Sequence, residues 1–310
     1  MREGAPPGGS RYNLFMAEHS LPILTDAAAR RAFTLHSRLW QQNRYVYPVV
    51  SRRSKGISIG VNLNPDKVCN FDCIYCSVDR RGGVGGMRDV DLAVLREELA
   101  AMLSLAGSGE IYRHDPFDKI PAALRRINDI AFSGDGEPTT CPQFDEVVRL
   151  AAGLREAQAS IKLVLITNAT MFHRAAVRET LAFLDAHHGE IWAKLDAGSA
   201  DYYDLVDRSP VPFSRLLENL AWCCQTRPTV IQSLFMRVHG AAPPAGEIEA
   251  YVARLAGIVE AGGRIKLVQL YTVARSTTEA YATALSADEL QAIAGRLHRR
   301  LPEVVAEVYP

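Results

Sequence analysis

Three cysteines in one short segment are the residues whose type and spacing most clearly indicate chemistry. Cys69, Cys73 and Cys76 follow a C-x3-C-x2-C pattern within VNLNPDKVCNFDCIYCSVDR, Val61 to Arg80. An odd number of thiols cannot pair off completely as disulfides, and soft sulfur ligands select iron–sulfur clusters, zinc or Cu(I). Closed zinc sites and most iron–sulfur clusters take four protein ligands, so three thiolates leave one coordination position free.

Other interpretations of these cysteines stay open on spacing alone. The loop could be a zinc site completed by a distant His or Cys, or the thiols could be ordinary buried side chains. The chain has no second C-x2-C pair that would complete a zinc site. Its other cysteines are scattered and share no metal-ligand spacing: Cys141, Cys223 and Cys224.

The residues around the cysteines resemble a known family. The stretch CNFDCIYC, with a β-prone run before it and FSGDGEPT after it, is similar to the cluster loop of the radical S-adenosylmethionine (radical SAM) enzymes. The wider stretch from SRRSKGISIGVNLNPD onward looks most like a bacterial branch related to the wyosine-synthase-like iron–sulfur oxidoreductases. The likeness runs from about Tyr45 to about Leu290. Archaeal wyosine synthases carry additional cysteines upstream of this loop, and this chain has none before Cys69.

This resemblance implies two cofactors and a reaction. Cys69, Cys73 and Cys76 would bind three irons of a [4Fe-4S] cluster, and S-adenosylmethionine would occupy the fourth, with Tyr75 beside it. The expected reaction is reductive cleavage of that cofactor to a 5′-deoxyadenosyl radical, which abstracts hydrogen from a substrate. The substrate would be a small molecule, a peptide or a protein, with tRNA as a less favoured alternative. The electron donor would be of the flavodoxin or ferredoxin type.

Alternating strand and helix patterns predict the elements that position these residues. Six β-prone runs, each followed by a helical pattern, indicate parallel βαβ units. They match the partial (β/α)6 TIM-type barrel of the α/β class that the resemblance implies, with an N-terminal helical and extended addition. We predict an extension over residues 1–50 with a helix over residues 25–42, a radical SAM core over 51–300, and a C-terminal tail over 301–310.

Reactive groups in such barrels collect at the carboxyl ends of the strands, and polar residues occur there in this sequence. Glycines allow close approach of a ligand to the backbone, and the SGDGEPT run resembles the family's GEP element, which binds the cofactor's amino group. The residues matching that element are Gly134, Asp135, Gly136 and Glu137. Asn168, after the next strand, is interpreted either as a cofactor ligand or as a turn-former.

The later strands carry further candidates for cofactor binding. Lys194 and Asp196 are two residues apart on one strand and therefore point to the same face. They could contact the cofactor's carboxylate and ribose, or form an internal ion pair. Gln232 and Gln269 interrupt apolar runs, and they could line the lumen or be satisfied structural groups.

Composition limits the class of protein. The 310 residues contain 35 basic and 35 acidic side chains, a neutrality that argues weakly against a dedicated nucleic-acid binder. No apolar run approaches a membrane span, and the first residues lack the core of a signal peptide, so we expect a cytoplasmic protein with no membrane partner. One basic and aromatic cluster would suit a polyanionic substrate, or its arginines could instead pair with acids or balance the negative charge of an iron–sulfur cluster. The basic and aromatic cluster consists of Arg44, Tyr45, Tyr47, Arg52, Arg53, Lys55, Arg80 and Arg81.

Overall fold

The computed structural model describes residues 40, 42–80 and 89–310. Most of the predicted helix over residues 25–42 lies outside the described residues, and Arg81 also lies outside them. The division into an extension, a core and a tail stays a prediction.

One curled sheet of eight strands forms the centre of the described chain, in the order β1-β2-β3-β4-β5-β6-β8-β10. The strands are β1 Val46–Ser51, β2 Gly56–Val61, β3 Ile127–Phe132, β4 Lys162–Thr167, β5 Gly189–Lys194, β6 Thr229–Leu234, β7 Met236–Val238, β8 Ile265–Tyr271, β9 Ala282–Ala284 and β10 Ala306–Tyr309. β1 runs antiparallel to β2, while the neighbours from β2 to β10 are parallel. β7 and β9 form a separate antiparallel pair.

Helices connect the parallel strands. They are α1 Leu92–Gly107, α2 Phe144–Arg155, α3 Ala175–Ala186, α4 Ala200–Val206, α5 Phe213–Thr226, α6 Ala245–Glu260 and α7 Ala287–Arg300. The six predicted parallel strands and the helices after them are present, which confirms the partial TIM-type barrel. Ser286 and Glu289 form a reciprocal capping box at the start of α7.

Two elements at the sheet edges were not predicted as strands of the barrel. β10 lies within the segment predicted as a C-terminal tail and pairs with β8 through Ala306 to Tyr309. β1 lies almost wholly in the predicted N-terminal extension, and it adds an antiparallel edge strand next to β2. A four-residue strand such as AEVY is too short to show a period in the sequence.

The turn between β1 and β2 spans the open side of the partial barrel. Arg52 Nη1 donates to the main-chain oxygen of Pro310 at 2.7 Å, and Lys55 Nζ lies 3.3 Å from a carboxylate oxygen of Glu307. Both partners belong to the opposite edge of the sheet, at or just after β10. The turn therefore joins the two edges and closes the lumen on that side.

The inside of the sheet has its own small apolar layer. Ala131, Val164, Trp192 and Val230 are buried against one another, separate from the main core between sheet and helices. Toward the amino ends of the strands, Glu190 accepts hydrogen bonds from Lys162 at 2.8 Å and from Lys266. Burial opposes ionisation of Glu190, but these lysine donors outweigh it and lower its pKa to about 2.

Asp129 on β3 is buried in the same region and makes the stability of the folded protein depend on pH. Burial raises the pKa of Asp129 to about 6, although Ser58 donates a hydrogen bond to it. A raised carboxyl pKa penalises the folded state once the group ionises, so the penalty grows as pH rises from about 4 to about 6 and is complete above that. We expect Asp129→Asn to stabilise the protein by about 1–3 kcal/mol at pH 8 and to have little effect at pH 4.

Urea denaturation at both pH values measures this difference. Asp204→Asn is the matched control, since Asp204 is exposed on α4, and it should change stability similarly little at the two pH values. A loss of stability in Asp129→Asn at pH 8 would contradict the assignment.

No helix among the described residues has the length and apolar character needed to cross a membrane.

Candidate cofactor site

The cysteine loop leaves the carboxyl end of β2, as predicted, and is fixed by contacts with distant segments. The backbone N–H groups of Asp72 and Ile74 donate to the carbonyls of Asp207 and Val206, at 3.1 and 3.0 Å. Ile74 is fully buried and anchors the middle of the loop in the core. The three thiols are free and partly exposed, because they open onto a shared cavity.

This cavity has a volume of about 360 Å³ and contains most of the predicted site. Asp196 and Gln269 do not reach its wall. The predicted residues on the wall are Cys69, Cys73, Cys76, Tyr75, Gly134, Asp135, Gly136, Glu137, Asn168, Lys194 and Gln232.

Cys69 and Cys73 sit in surroundings that favour the neutral form of their thiols. Burial raises the pKa of Cys69, and it raises the pKa of Cys73 well above the ordinary value, with the charge of Asp207 adding to the effect. A thiol binds metal as thiolate, so metal binding here has to displace a proton. The described residues contain no group of three or more His, Cys, Asp or Glu side chains already arranged to hold a metal ion.

Arg80 ties the end of the cysteine loop to its surroundings. Its Nη1 donates to the carbonyl of Lys67 and to that of Asp135, the latter at 2.8 Å, while Nη2 lies 3.5 Å from Cys76 Sγ. A guanidinium next to a ligand sulfur donates a charge-assisted hydrogen bond to it. The sequence analysis placed Arg80 in the basic and aromatic cluster. Nothing in the sequence predicted that Arg80 would contact Cys76 and the backbone of the SGDGEP turn.

The two glycines of the SGDGEP turn leave room for the close approach of another loop. A Cβ on Gly134 would lie 2.2 Å from Asn62 Oδ1, and one on Gly136 would lie 2.1 Å from the carbonyl oxygen of Val68. Asn62 also donates to Asp135 Oδ2 at 2.7 Å. The turn and the start of the cysteine loop are thus fitted directly against each other.

Glu137 is buried and already saturated with donors. Its Oε1 accepts from the backbone N–H and hydroxyl of Thr139 and from the Thr167 hydroxyl, and its Oε2 accepts from the Asn168 N–H at 2.7 Å. The carboxylate therefore joins the ends of β3 and β4. Any contact of this turn with a ligand would come mainly from its backbone.

Asn168 does what the turn-forming interpretation expected and also contacts the cysteine loop. Its Oδ1 accepts from the backbone N–H and hydroxyl of Thr170, at 3.2 and 2.7 Å. Its Nδ2 donates to Asn70 Oδ1 at 2.8 Å. Asn168 thereby fixes the loop segment directly after Cys69.

Lys194 and Asp196 share a face, as predicted, and form an ion pair with Nζ and Oδ2 3.0 Å apart. Asp196 is only 1% exposed and also accepts from the Leu234 N–H and the Tyr75 hydroxyl. Lys194 faces the cavity and donates to the Tyr271 hydroxyl at 2.8 Å. Burial lowers the pKa of Lys194, but the charge of Asp196 and the contributions of Tyr271 and Cys73 together outweigh burial, and the net shift is upward.

Asp207 is a site residue that sequence analysis missed. It is buried, and its Oδ1 lies 3.2 Å from the Tyr75 hydroxyl that also contacts Asp196. Burial and the charge of Asp196 raise its pKa well above the ordinary value. Its sequence context, LVDRSP, carries no signal for this position, since the contact depends on how the segment after α4 folds over the cysteine loop.

The two predicted glutamines form one unit across β6 and β8. Gln232 Nε2 donates to Gln269 Oε1 at 2.7 Å. The other end of the Gln232 amide, Oε1, is buried without a hydrogen-bond partner among the described residues. Gln232 lines the cavity, while Gln269 lies behind it and fixes its orientation.

The remaining cysteines are buried free thiols. None of Cys141, Cys223 and Cys224 lies on the wall of the cavity.

The fold and site together define an enzyme core of a particular kind, a partial parallel barrel with a thiol-bearing loop and a glycine turn facing one cavity. The sequence matches the radical SAM superfamily over residues 63–240, more than half of the chain. The chain therefore belongs to the radical SAM superfamily, and it is an enzyme of that superfamily.

Relatives of the chain are distant. It is 25% identical over 252 residues to a Brachyspira hyodysenteriae protein named GTPase Obg, covering 79% of this chain and 32% of that protein. It is 25% identical over 248 residues to a UPF0026 protein of Helicobacter pylori, covering 78% of this chain and 70% of the relative. The chain thus spans about a third of the length of the Brachyspira protein.

Among solved structures, a radical SAM methyltransferase from Sphaerobacter thermophilus superimposes with a TM-score of 0.58 at 14% identity. The match covers 85% of this chain and 68% of the methyltransferase. At this identity the likeness establishes the fold alone.

Proposed function

We propose that this enzyme holds a [4Fe-4S] cluster on Cys69, Cys73 and Cys76 and binds S-adenosylmethionine in the adjoining cavity. One observation carries the proposal: the three thiols of one loop and the SGDGEP turn of the next strand line the same cavity. When loaded, the two cofactors and one electron from a flavodoxin- or ferredoxin-type donor would yield methionine and a 5′-deoxyadenosyl radical, which takes a hydrogen atom from the substrate.

The residues present fit these cofactors. Three soft thiolate ligands suit an iron–sulfur cluster, in which each thiolate binds a separate iron and one iron stays open for another ligand. Gly134 and Gly136 both line the cavity, so the backbone of the turn is accessible to a ligand there. The unpartnered Oε1 of Gln232 is a buried acceptor on the cavity wall, and a bound polar group would satisfy it.

The chain's own residues would divide the binding and positioning roles. Lys194 has three N–H donors, of which Asp196 and Tyr271 receive two, so a third is left for a carboxylate in the cavity. Asp196, Glu137 and Gln269 would act as positioning residues, since each holds a wall residue or strand end from behind. The apolar layer and the β1–β2 turn would limit water around a reactive intermediate.

We further propose that the substrate is a small molecule, a peptide or a protein side chain. A nucleic-acid substrate, as in the wyosine-like branch that the sequence resembles, is the less favoured alternative. The tyrosines of the basic cluster, Tyr45 and Tyr47, are buried and cannot stack on bases, and Lys55 is paired with Glu307. Salt-dependent tRNA binding would favour the alternative, and no binding at low salt would remove it.

Anaerobic reconstitution tests the cofactor proposal. We expect about four irons and four sulfides per chain, and 5′-deoxyadenosine after addition of S-adenosylmethionine and a strong reductant. Zinc in place of iron, with no cleavage of S-adenosylmethionine, would instead support a zinc-binding protein and end the proposal.

A further inference from the structure

Arg53 occupies an unusual place for an arginine. It lies in the turn between β1 and β2, and its side chain lines the same cavity as the three thiols. Its guanidinium carbon is 4.9 Å from the ring centroid of Tyr271 and 6.0 Å from that of Trp192. A cation–π contact leaves the guanidinium charged, and no described residue accepts a hydrogen bond from the Arg53 side chain, so its N–H groups are available to a ligand.

No carboxylate within the described parts of the chain lies at ion-pair distance from Arg53. Its neighbours in the turn are engaged, since Lys55 pairs with Glu307 and Arg52 donates to the carbonyl of Pro310. Three acids line the cavity: Asp129 accepts a hydrogen bond from Ser58, Asp135 accepts one from Asn62, and Glu137 already accepts four. Arg53 therefore presents a charge to the cavity that these acids do not neutralise.

The turn concentrates positive charge at this point. Arg52 is directly adjacent, and burial together with the charge of Arg53 lowers the pKa of Arg52. Two neighbouring cations beside a partly enclosed cavity favour a bound anion, because an anion relieves their repulsion.

Arg53 is also close to the proposed cofactor site. Tyr271, whose ring lies next to Arg53, accepts a hydrogen bond from Lys194 at 2.8 Å. Lys194 in turn lies 4.9 Å from the ring centroid of Tyr75, in the cysteine loop. The ring of Tyr271 therefore lies between Arg53 and Lys194, so a group bound by Arg53 would lie close to the proposed cofactor site.

We propose that Arg53 binds an oxyanion of the substrate, a carboxylate or a phosphate, through the fork of its guanidinium N–H groups. This inference rests on the proposed function, since it assigns the anion to the substrate of the same cavity. It narrows the substrate to an anionic molecule or to an anionic group on a peptide.

Calorimetric titration of the reconstituted full-length protein tests the inference. Inorganic phosphate and acetate serve as separate probes at low ionic strength, with chloride as the background ion. We expect at least one probe to bind in the millimolar range and Arg53→Gln to weaken that binding by about tenfold or more. Whichever of phosphate and acetate binds more tightly identifies the anion class.

Arg149→Gln is the matched control, because Arg149 also lies over an aromatic ring, that of Phe183, but on the exposed surface of α2. It should bind the probe as the unaltered protein does. Arg53→Lys keeps the charge and loses the planar fork, so we expect weakening of several-fold, and this variant carries the comparison if Arg53→Gln does not fold.

Binding of neither probe up to about 50 mM, far above the expected range, or equal affinity in the Arg53 variants and the unaltered protein, would overturn the inference. Iron content and 5′-deoxyadenosine are measured on the same samples. A sample with a working cluster and no anion binding contradicts only the role of Arg53. Arg53-dependent binding without any cluster contradicts the proposed function.

Discussion

Cys73→Ala is expected to abolish assembly of the iron–sulfur cluster. Cys73 lines the cavity and lies between Cys69 and Cys76 in the sequence. If the three thiols are the protein ligands of the cluster, loss of Cys73 leaves two of the four irons without a protein ligand. Iron per chain should fall from about four to near zero, and 5′-deoxyadenosine formation should fall by a factor on the order of a thousand or more. Iron analysis and the visible absorbance of the reconstituted variant measure the loss.

Cys141→Ala is the control for a general effect of removing a thiol. Cys141 is a buried free cysteine off the cavity wall, close in sequence to the SGDGEP turn. It should keep its cluster and lose only about 1 kcal/mol of stability. A full cluster in Cys73→Ala would overturn the ligand assignment.

Glu137→Gln is expected to destabilise the protein and to disturb the SGDGEP turn. Four donors converge on the Glu137 carboxylate, three on Oε1 and one on Oε2. A glutamine replaces one oxygen with an NH2 group, so at least one donor then faces another donor in a buried site. We expect a loss of about 2–4 kcal/mol in the free energy of unfolding.

The same change should weaken the cofactor site, because Glu137 fixes the Asn168 backbone and the turn that lines the cavity. Urea denaturation measures the stability, and binding of S-adenosylmethionine by the reconstituted variant measures the site. Glu97→Gln, at an exposed position on α1, should change neither by more than about 0.5 kcal/mol. Unaltered stability in Glu137→Gln would show that the four hydrogen bonds contribute little.

Much of the barrel could be predicted because its pattern is local. Runs such as KLVLIT in β4 and VIQSL in β6 are apolar and β-branched, and each is followed by a helix with one apolar face. Lys194 and Asp196 lie on one face because alternate residues of a strand always do. The short elements β1, α4 and β10 were not predicted, since their formation depends on neighbours far away in the chain.

Some roles of the site residues could likewise be predicted from local sequence, whereas others depend on contacts between distant segments. Spacing alone indicated which thiols act together, and the order of strands indicated that a glycine turn would come beside them. The sequence could not indicate that Asp196 and Gln269 lie behind the residues of the cavity wall, or that Arg80 contacts Cys76. Nor could it indicate that the Glu137 carboxylate accepts four hydrogen bonds. These facts depend on contacts such as that between Tyr75 and Asp207, 132 residues apart.

The sequence by itself therefore determined the repeating framework and which three thiols lie together in one loop, because both depend on spacings of a few residues. Only the tertiary structure decided which polar groups face the cavity, which hold those groups from behind, and that Arg53 reaches the lumen from the far edge of the sheet. The physical reason is that curling of the sheet brings the turn after β1 next to the end of β10, and no local pattern encodes which side chains then meet.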